Sequence, residues 1–336
     1  MAYEQVYRLM AREPQLKPFV SQKCFDRKRW SGVLELSLVI PEKHPVAIGS
    51  GSFDLHQEPL RSTSAPERFG GLPPGSQRRL TPMQRAKFVA REAPRPTARQ
   101  NVAAPEVIAE IVRRGPARMV VLPGSSLKGA VRQVYEMLTA SCELGGCQVD
   151  RGEDCPLICP ACSLFGAGGL GGRLLFNEAK PGSVNEPLKR KVARAWTSPK
   201  TKRVPAGTFR IYNLAPAVDG SSRPLPEPEL TWAVAGEFTC RLQVINADLD
   251  ELGLLFASLG LGRSHGLRLG GKKFHGLGVV NFEIARAMWR YPEAVEKEGQ
   301  EAMRWALEQQ AWALRDPERN RVWTRLHKVI SSQGGR

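Results

Sequence analysis

The stretch VLPGSSLKGAVRQVYE, residues 121–136, predicts a short α-helix that is opened by a polar, glycine-bearing turn. Apolar residues recur at the spacing of one helix face and continue one turn further: Leu127, Ala130, Val131, Val134 and Leu138. Pro123 and Gly124 form the turn, and Ser125 or Ser126 is expected to cap the first free amides. The other predicted elements lie on both sides of this helix in the chain.

Two cations stand one turn apart on the polar face of this helix. Lys128 and Arg132 are like charges at i and i+4, which repel unless an anion is near. A helix N-terminus with free amides and a positive dipole end favours phosphate, so the sequence predicts a phosphate site here. The stretch lacks the Walker pattern, and the alternative is an ordinary capped helix with a solvated basic face.

Five further elements complete the predicted core. Strands are predicted over 33–40, 173–177, 237–245 and 279–284, the first and third from alternating apolar residues. A second helix follows a cap at Asn246 or Asp248, and its apolar stripe is Leu249, Leu252, Phe256 and Leu259. The order strand, helix, strand, strand, helix, strand predicts an α+β, ferredoxin-like (RRM-like) fold with an antiparallel sheet and two helices on one side.

The chain divides into four predicted regions. Residues 1–56 hold an N-terminal segment and the first core strand, and 119–284 hold the remainder of the core. Between them, 57–118 is a basic, proline-rich insertion, with one helix expected over 104–113 and otherwise irregular structure. A linker between two independent domains is the alternative. Residues 285–336 form a helical extension with four of the seven tryptophans, expected to pack on the body or on a neighbouring subunit.

Composition bounds the class of partner. The chain has 336 residues, a formal charge of +16 and a pI near 9.9, which favours a polyanion, most commonly a nucleic acid. No apolar run approaches the length of a membrane span, so no membrane partner is expected. The N-terminus lacks the apolar core of a signal peptide, which predicts a cytoplasmic protein.

Residues 186–212 combine positive charge with aromatic rings. Eight basic residues and one acid are interleaved with Trp196, Phe209 and Tyr212, and Lys202 and Arg203 lie near the centre. Cations follow phosphates and aromatic faces stack on bases, so the segment predicts single-stranded nucleic-acid binding by a hairpin or mobile finger. A solvated basic loop is the alternative.

The sequence CELGGCQVDRGEDCPLICPAC, residues 142–162, predicts a structural metal site. Its candidate ligands are Cys142, Cys147, Cys155, Cys159 and Cys162. A CPAC knuckle holds two thiolates at the separation that tetrahedral zinc needs, and upstream cysteines close a four-sulfur site. Cys155, Cys159 and Cys162 are favoured over Cys142. Such a closed site argues against zinc-based catalysis; buried free cysteines or an iron–sulfur cluster are the alternatives.

The glycine-rich loop GLGRSHGLRLGGKKFHGLG, residues 260–278, is the second candidate phosphate site. Its proposed contacts are Arg263, His265, Lys272, Lys273 and His275. Either histidine can serve as a general base, but among so many cations a phosphate or base contact is favoured.

Asp54 is the candidate for chemistry. It follows the first strand in a loop opened by Gly49 and Gly51, where a carboxylate can bind a divalent ion or orient a 2′-hydroxyl. The alternative is an aspartate that hydrogen-bonds its own turn.

Four motifs, in this order, resemble the RAMP superfamily of CRISPR-associated proteins. They are LPGSSLKGAVR (122–132), CPACSLFG (159–166), RVPAGTF (203–209) and GGKKFHGLGVVNF (270–282). The chain resembles, more narrowly, a backbone subunit of a type III effector complex over about 32–284.

The resemblance implies a ferredoxin-like core with a protruding thumb within 186–212, and subunits stacked along a CRISPR guide RNA beside other effector subunits. Guide phosphates would be held by Ser125, Ser126, Lys128 and Arg132, and from the other side by the loop 263–275. Base pairing between guide and complementary target RNA would then read the sequence. In such subunits an aspartate after the first strand is associated with cleavage of target RNA with Mg²⁺ or Mn²⁺, which implies that role for Asp54.

Three functions follow from these patterns. The chain is a scaffold subunit that cleaves target RNA through Asp54, or a purely structural guide-binding or capping subunit. From another class, it is a free-standing guide-processing endonuclease with His265 or His275 as general base.

Overall fold

The computed structural model describes residues 3–7, 14–56, 106–114, 119–142, 147, 157–182, 187–192, 208–212, 214 and 229–332. The strands, in chain order, are β1 Tyr3–Tyr7, β2 Lys17–Pro18, β3 Trp30–Ile40, β4 Gly49–His56, β5 Glu106–Ile111, β6 Arg113–Arg114, β7 Met119–Val120, β8 Leu157–Ile158, β9 Gly166–Ala167, β10 Leu170–Gly171, β11 Leu174–Phe176, β12 Lys180–Pro181, β13 Leu188–Val192, β14 Thr208–Tyr212, β15 Glu229–Ala233, β16 Gly236–Ala247, β17 Leu267–Arg268, β18 Val279–Tyr291 and β19 Val295–Glu298. The helices are α1 Gly124–Leu138, α2 Pro160–Phe165, α3 Leu249–Leu259, α4 Gly299–Ala313 and α5 Pro317–Ser331.

The central sheet has the strand order β11, β16, β3, β18, and neighbouring strands are antiparallel. The chain reaches these strands in the order β3, α1, β11, β16, α3, β18, which is the split βαβ arrangement. Leu38 lies opposite Phe238 on one side and Phe282 on the other, and all three are buried. Their face of the sheet packs against α1 and α3, so the predicted ferredoxin-like core is confirmed.

The last core strand is longer than the sequence pattern indicates. Strand β18 continues from Ile284 to Tyr291, into the region predicted to be helical. Its pairing with β3 shifts between Ile284 and Arg286, and this bulge breaks the period-two alternation that the prediction relied on. Beyond the bulge Ala287 and Trp289 return to the buried face. The helical extension therefore begins only at Gly299.

The C-terminal helices belong to the same layer as α1 and α3. The ring of Trp305, on α4, lies 5.5 Å from Trp30, 5.4 Å from Trp289 and 5.6 Å from Phe256. On α5, the indole N–H of Trp323 donates a hydrogen bond to the Ala257 carbonyl at 3.1 Å. The extension thus packs on the body of the protein. None of the helices in the described ranges has both the length and the apolar character of a membrane span.

A second sheet has the order β13, β15, β5, β4, with β15 and β5 parallel. Residues 106–111 form one of its strands, so the helix expected over 104–113 is wrong. A short run rich in valine and isoleucine fits either structure by periodicity, and pairing on both sides favours the strand. Asp54 lies in β4, opposite Ile108, and not in a loop as expected.

The predicted finger is not a simple hairpin at its base. Strand β13 pairs with β15, whereas β14 pairs with β1 at the other end of the chain. The two described strands of the segment 186–212 are therefore not partners of each other. Trp196, Lys202 and Arg203 lie outside the described residues.

Candidate nucleic-acid interface and metal centre

The N-cap of helix α1 lies two or three residues before the serines that were expected to cap it. Pro123 is the N-cap residue and makes no side-chain cap, so Ser125 and Ser126 fall inside the first turn, and the expected serine cap is wrong. Gly124 is buried, and a β-carbon there would collide with the Phe176 carbonyl, so the turn needs glycine. Without a side-chain cap, the positive end of the helix dipole can meet a ligand.

Arg132 does not face solvent as the sequence suggested. Its Nε donates to a carboxylate oxygen of Glu136 at 2.7 Å, and Glu136 is only 1% exposed. Its Nη1 donates to the Gly166 carbonyl at 2.8 Å, and its Nη2 lies 3.2 Å from the Cys162 sulfur. Burial lowers the pKa of Arg132, but the hydrogen bond to Glu136 and the charge of Glu136 raise it by more. The net effect is a raised pKa. The guanidinium is therefore a structural link between α1 and the cysteine segment.

Lys128 keeps the position expected of a phosphate ligand. It is half-buried on α1, one turn before Arg132, and its pKa is lowered by burial and by the charge of Arg132. A partly desolvated ammonium gains from an anionic partner. Of the two helix cations, Lys128 is the one that remains a candidate RNA contact.

Four cysteine sulfurs converge beside Arg132. The Sγ atoms of Cys142, Cys147, Cys159 and Cys162 lie within 4.8 Å of one another. The sulfur of Cys142 is 3.4 Å from those of Cys159 and Cys162. Thiolates around a tetrahedral zinc ion are separated by roughly 3.8 Å, so the donor set and spacing fit such an ion. These four side chains can hold a metal, and they leave no ligand position open.

The cluster is assembled by two helix ends. Cys142 follows the C-terminus of α1, Cys159 is the N-cap of α2, and Cys162 lies in its first turn. The hydrogen bond from Cys162 lowers the pKa of Cys159 to about 4, so a thiolate forms readily there. The sequence pattern favoured Cys155 over Cys142 as a metal ligand, but Cys142 is a member of the cluster. Cys155 lies outside the described residues.

The glycine-rich loop is clamped to the segment after β3. The amide of Gly271 donates to the Ala47 carbonyl at 2.7 Å, and that of Gly278 donates to the Pro45 carbonyl at 2.8 Å. Gly270 has φ +81° and would collide with the Ala47 carbonyl if it carried a β-carbon. The glycines thus permit close backbone packing, and this packing fixes the loop and its cations in place.

The loop cations differ in their surroundings. Arg263 is exposed, and its guanidinium carbon lies 4.0 Å from the centre of the Trp323 ring. Lys272 adopts a left-handed conformation, and Lys273 is half-buried, with its pKa lowered by burial and by Arg268. Arg268 donates to the Lys273 carbonyl at 2.7 Å. Arg268 and Lys273 are therefore in direct contact, and contact of the loop cations with RNA stays a prediction.

The two histidines of the loop are partly buried. Nδ1 of His265 lies 3.1 Å from the Ser264 hydroxyl, and burial, followed by the charges of Arg268 and Lys43, lowers its pKa. His275 lies in a 3₁₀ turn over Lys273–His275. The His265 imidazole, with its lowered pKa and cationic neighbours, suits a hydrogen-bonding contact to RNA.

Sequence reasoning missed Lys43 and His44. They come directly after β3 and are more than 200 residues away from the glycine loop in sequence. In the fold, however, His44 Nδ1 lies 2.8 Å from the Gly276 carbonyl, and its ring is 6.4 Å from that of His265. The one available signal was a Lys–His pair directly after a core strand, which is weak alone.

The two predicted phosphate sites are joined through backbone hydrogen bonds. The Gly271 amide of the loop donates to the Ala47 carbonyl. The carbonyl of the next residue, Ile48, accepts from the Val112 amide at 3.1 Å. The Val112 carbonyl in turn accepts from the Val121 amide at 3.3 Å. Val121 lies two residues before the N-cap of α1. The start of α1 and the glycine loop therefore lie at opposite ends of one short ladder.

Comparison with known proteins supplies the family. A model of the RAMP superfamily matches residues 40–281, which is most of the chain. No curated protein matches the sequence. One solved chain that is similar, from a cryo-EM structure of the Type III-B Cmr-beta bound to cognate target RNA, has 14% identity and a TM-score of 0.38. The match covers 79% of this chain and 62% of that chain, so this chain spans less than two thirds of its length.

Proposed function

Because the chain belongs to the RAMP superfamily, we propose that it is an RNA-binding subunit of a type III CRISPR effector complex. In this role it holds the sugar-phosphate backbone of the guide RNA. Base pairing between guide and complementary target RNA reads the sequence, so the protein needs backbone contacts and little base recognition. Its partners are the guide RNA, the target RNA and other effector subunits.

The ladder between α1 and the glycine loop is the observation that carries the proposal. Adjacent segments in such a ladder lie about 4.8 Å apart, so its three steps span roughly 15 Å. Lys128 and an uncapped helix start stand at one end, and Lys272 and Lys273 stand at the other. A single RNA strand can cross both ends and meet cations at each, which a chain of net charge +16 favours further.

The four-cysteine cluster has a structural role in this proposal. When bound, zinc would cross-link the end of α1 to α2 through Cys142, Cys147, Cys159 and Cys162. Arg132 offsets part of the negative charge of the thiolates and ties them to α1. The metal segment therefore supports the helix whose N-terminus meets the RNA.

The salt dependence of RNA binding tests the phosphate contacts. Each lost phosphate contact to a single strand lowers the slope of log K against log salt by about 0.7. We expect this decrease for Lys128→Ala, measured with the full chain and a mixed-sequence single-stranded RNA. Arg304→Ala, an exposed cation on α4, is the matched control and should leave the slope unchanged. Equal slopes for the two variants would remove Lys128 from the interface.

A finer proposal assigns target cleavage to Asp54 with Mg²⁺ or Mn²⁺. Strand β4 starts at Gly49, the residue after Ile48 of the ladder, so Asp54 lies on a strand that leaves the proposed RNA contact. In the assembled complex, Asp54→Ala should abolish cutting of complementary RNA while guide binding is kept. Unchanged cutting would instead assign the chain a non-catalytic structural or capping role. Cutting of repeat RNA by the isolated chain, lost on His275→Ala, would point to a processing nuclease.

A further inference from the structure

A polar cavity of about 230 Å³ lies between the glycine loop and helix α5. The loop lines it with Arg263, Ser264 and His265, and α5 lines it with Thr324, His327, Lys328 and Ser331. Every one of these side chains is basic or carries a hydroxyl or an imidazole, and none of the described residues that line the cavity is an acid. Its composition suits an anionic ligand that also accepts and donates hydrogen bonds.

His327 is a buried histidine whose ring nitrogens could hydrogen-bond a ligand in the cavity. The side chain is 6% exposed, and neither ring nitrogen makes a hydrogen bond of good geometry in the described part of the chain; only the His265 backbone comes near enough to act on the ring. Buried polar atoms are nearly always paired, so an unpaired imidazole that lines a cavity indicates a missing partner. Burial, and then the charge of Arg263, lowers its pKa to about 4, against a smaller effect of the His265 backbone. The ring is therefore neutral, with one donor and one acceptor.

The mouth of the cavity carries two cations that are already in place. Arg263 stacks on Trp323, which holds the guanidinium at the rim, and no carboxylate in the described ranges forms an ion pair with it. Lys328 is exposed on α5, one residue after His327. A phosphate between them would meet two positive charges, and neither side chain would have to leave a buried position.

A second cavity continues the first. It measures about 460 Å³ and is lined by Lys43, His44, Asn281 and, again, Ser264 and His265, together with Pro41 and Leu214. Because the two cavities share Ser264 and His265, they form one polar track from α5 to the end of β3. A track of this kind fits successive phosphates of an extended strand better than one isolated anion.

We propose that this track is an RNA subsite, in which Arg263 and Lys328 hold a phosphate and His327 hydrogen-bonds a ribose 2′-hydroxyl. The 2′-hydroxyl is both donor and acceptor, which matches a neutral imidazole and distinguishes RNA from DNA. The inference rests on the proposed RNA-binding function and extends it: the C-terminal helix contacts RNA in addition to packing on the core.

Histidine NMR reads the site directly. The chain has five histidines, so the imidazole signals of the full chain can be assigned by single substitutions. Adding single-stranded RNA should shift the signals of His327 and His265. An unshifted His327 signal at saturating RNA overturns the subsite but leaves the proposed function intact. RNA that does not bind at all overturns the proposed function itself.

Two substitutions separate phosphate from ribose recognition. Lys328→Ala should lower the slope of log K against log salt by about 0.7, while Arg304→Ala leaves it unchanged.

His327→Phe keeps a ring against Trp323 and should weaken RNA binding roughly fivefold, which is the effect of one or two lost hydrogen bonds. It should not weaken binding of DNA with the same sequence. Equal losses for RNA and DNA would refute the ribose contact. Inorganic phosphate that shifts His327 while RNA does not compete would assign the cavity to free phosphate.

Discussion

Arg132 occupies a helix position that the sequence assigns to RNA, but its guanidinium points into the protein. It bonds at once to Glu136, to the Gly166 carbonyl and to the Cys162 sulfur. The sequence spacing shows that Lys128 and Arg132 share a helix face. It cannot show that the segment containing Cys162 and Gly166 packs over the part of that face that holds Arg132. The same limit explains the buried Arg173, whose partners are Ser163 on one side and Asn246 and Glu251, more than 70 residues away in sequence, on the other.

Arg132→Ala should therefore destabilise the fold. It removes a cation that donates to a carboxylate only 1% exposed and to two further groups, at a cost of about 3 kcal/mol in the free energy of unfolding, measured with urea. Arg132→Lys should not restore stability, because one ammonium cannot reach three partners.

The control for this prediction is Glu136→Gln in the Arg132→Ala background. If part of the loss comes from the buried charge of Glu136, the double variant is more stable than the single one. A cost below about 0.5 kcal/mol for Arg132→Ala, as for a surface pair, would contradict the interior role.

At the scale of elements, the core was predictable and the second sheet was not. Alternation and helical periodicity identified β3, β16, α1 and α3, and Asp248 caps α3 as expected, with Glu251 completing the capping box. In the second sheet, β4 begins with the weakly patterned run GSGS and β5 has only six residues, so periodicity could not distinguish strand from helix or loop. Likewise, clustering of cysteines predicted a metal site, but only the fold shows that Cys142 reaches it.

Removal of one cysteine ligand tests the metal centre. The full chain should carry about one zinc ion, and Cys162→Ser should lose it and become less stable, because a structural metal contributes directly to folding. Cys24→Ser is the control, since Cys24 is an exposed cysteine outside the cluster.

Cys155→Ser completes this test by metal analysis. Four other sulfurs already converge, so this variant should keep its metal. Loss of zinc from Cys155→Ser, or retention by Cys162→Ser, would contradict the assignment of the four ligands.

At the scale of the whole molecule, two surfaces are candidates for the RNA-binding site. Many RRM-like domains bind RNA on the open face of the sheet, where aromatic side chains stack on bases. Here that face carries Glu35, Glu237 and Glu283, and Glu35 is paired with Arg241 at 2.9 Å. Carboxylates repel phosphates, so the face favours a different ligand. The edge with α1, the glycine loop and the helix α5 carries Lys128, Arg263 and Lys328, and it fits phosphates better than a face on which Arg241 is already paired with Glu35.

Hydrogen–deuterium exchange of the full chain, with and without single-stranded guide RNA, distinguishes these surfaces most directly. The proposed RNA path predicts slower exchange in peptides covering 124–128 and 263–276, where amides and cations meet the strand. It predicts unchanged exchange over 236–243, on the open sheet. Protection of 236–243 with 124–128 and 263–276 unchanged would contradict it.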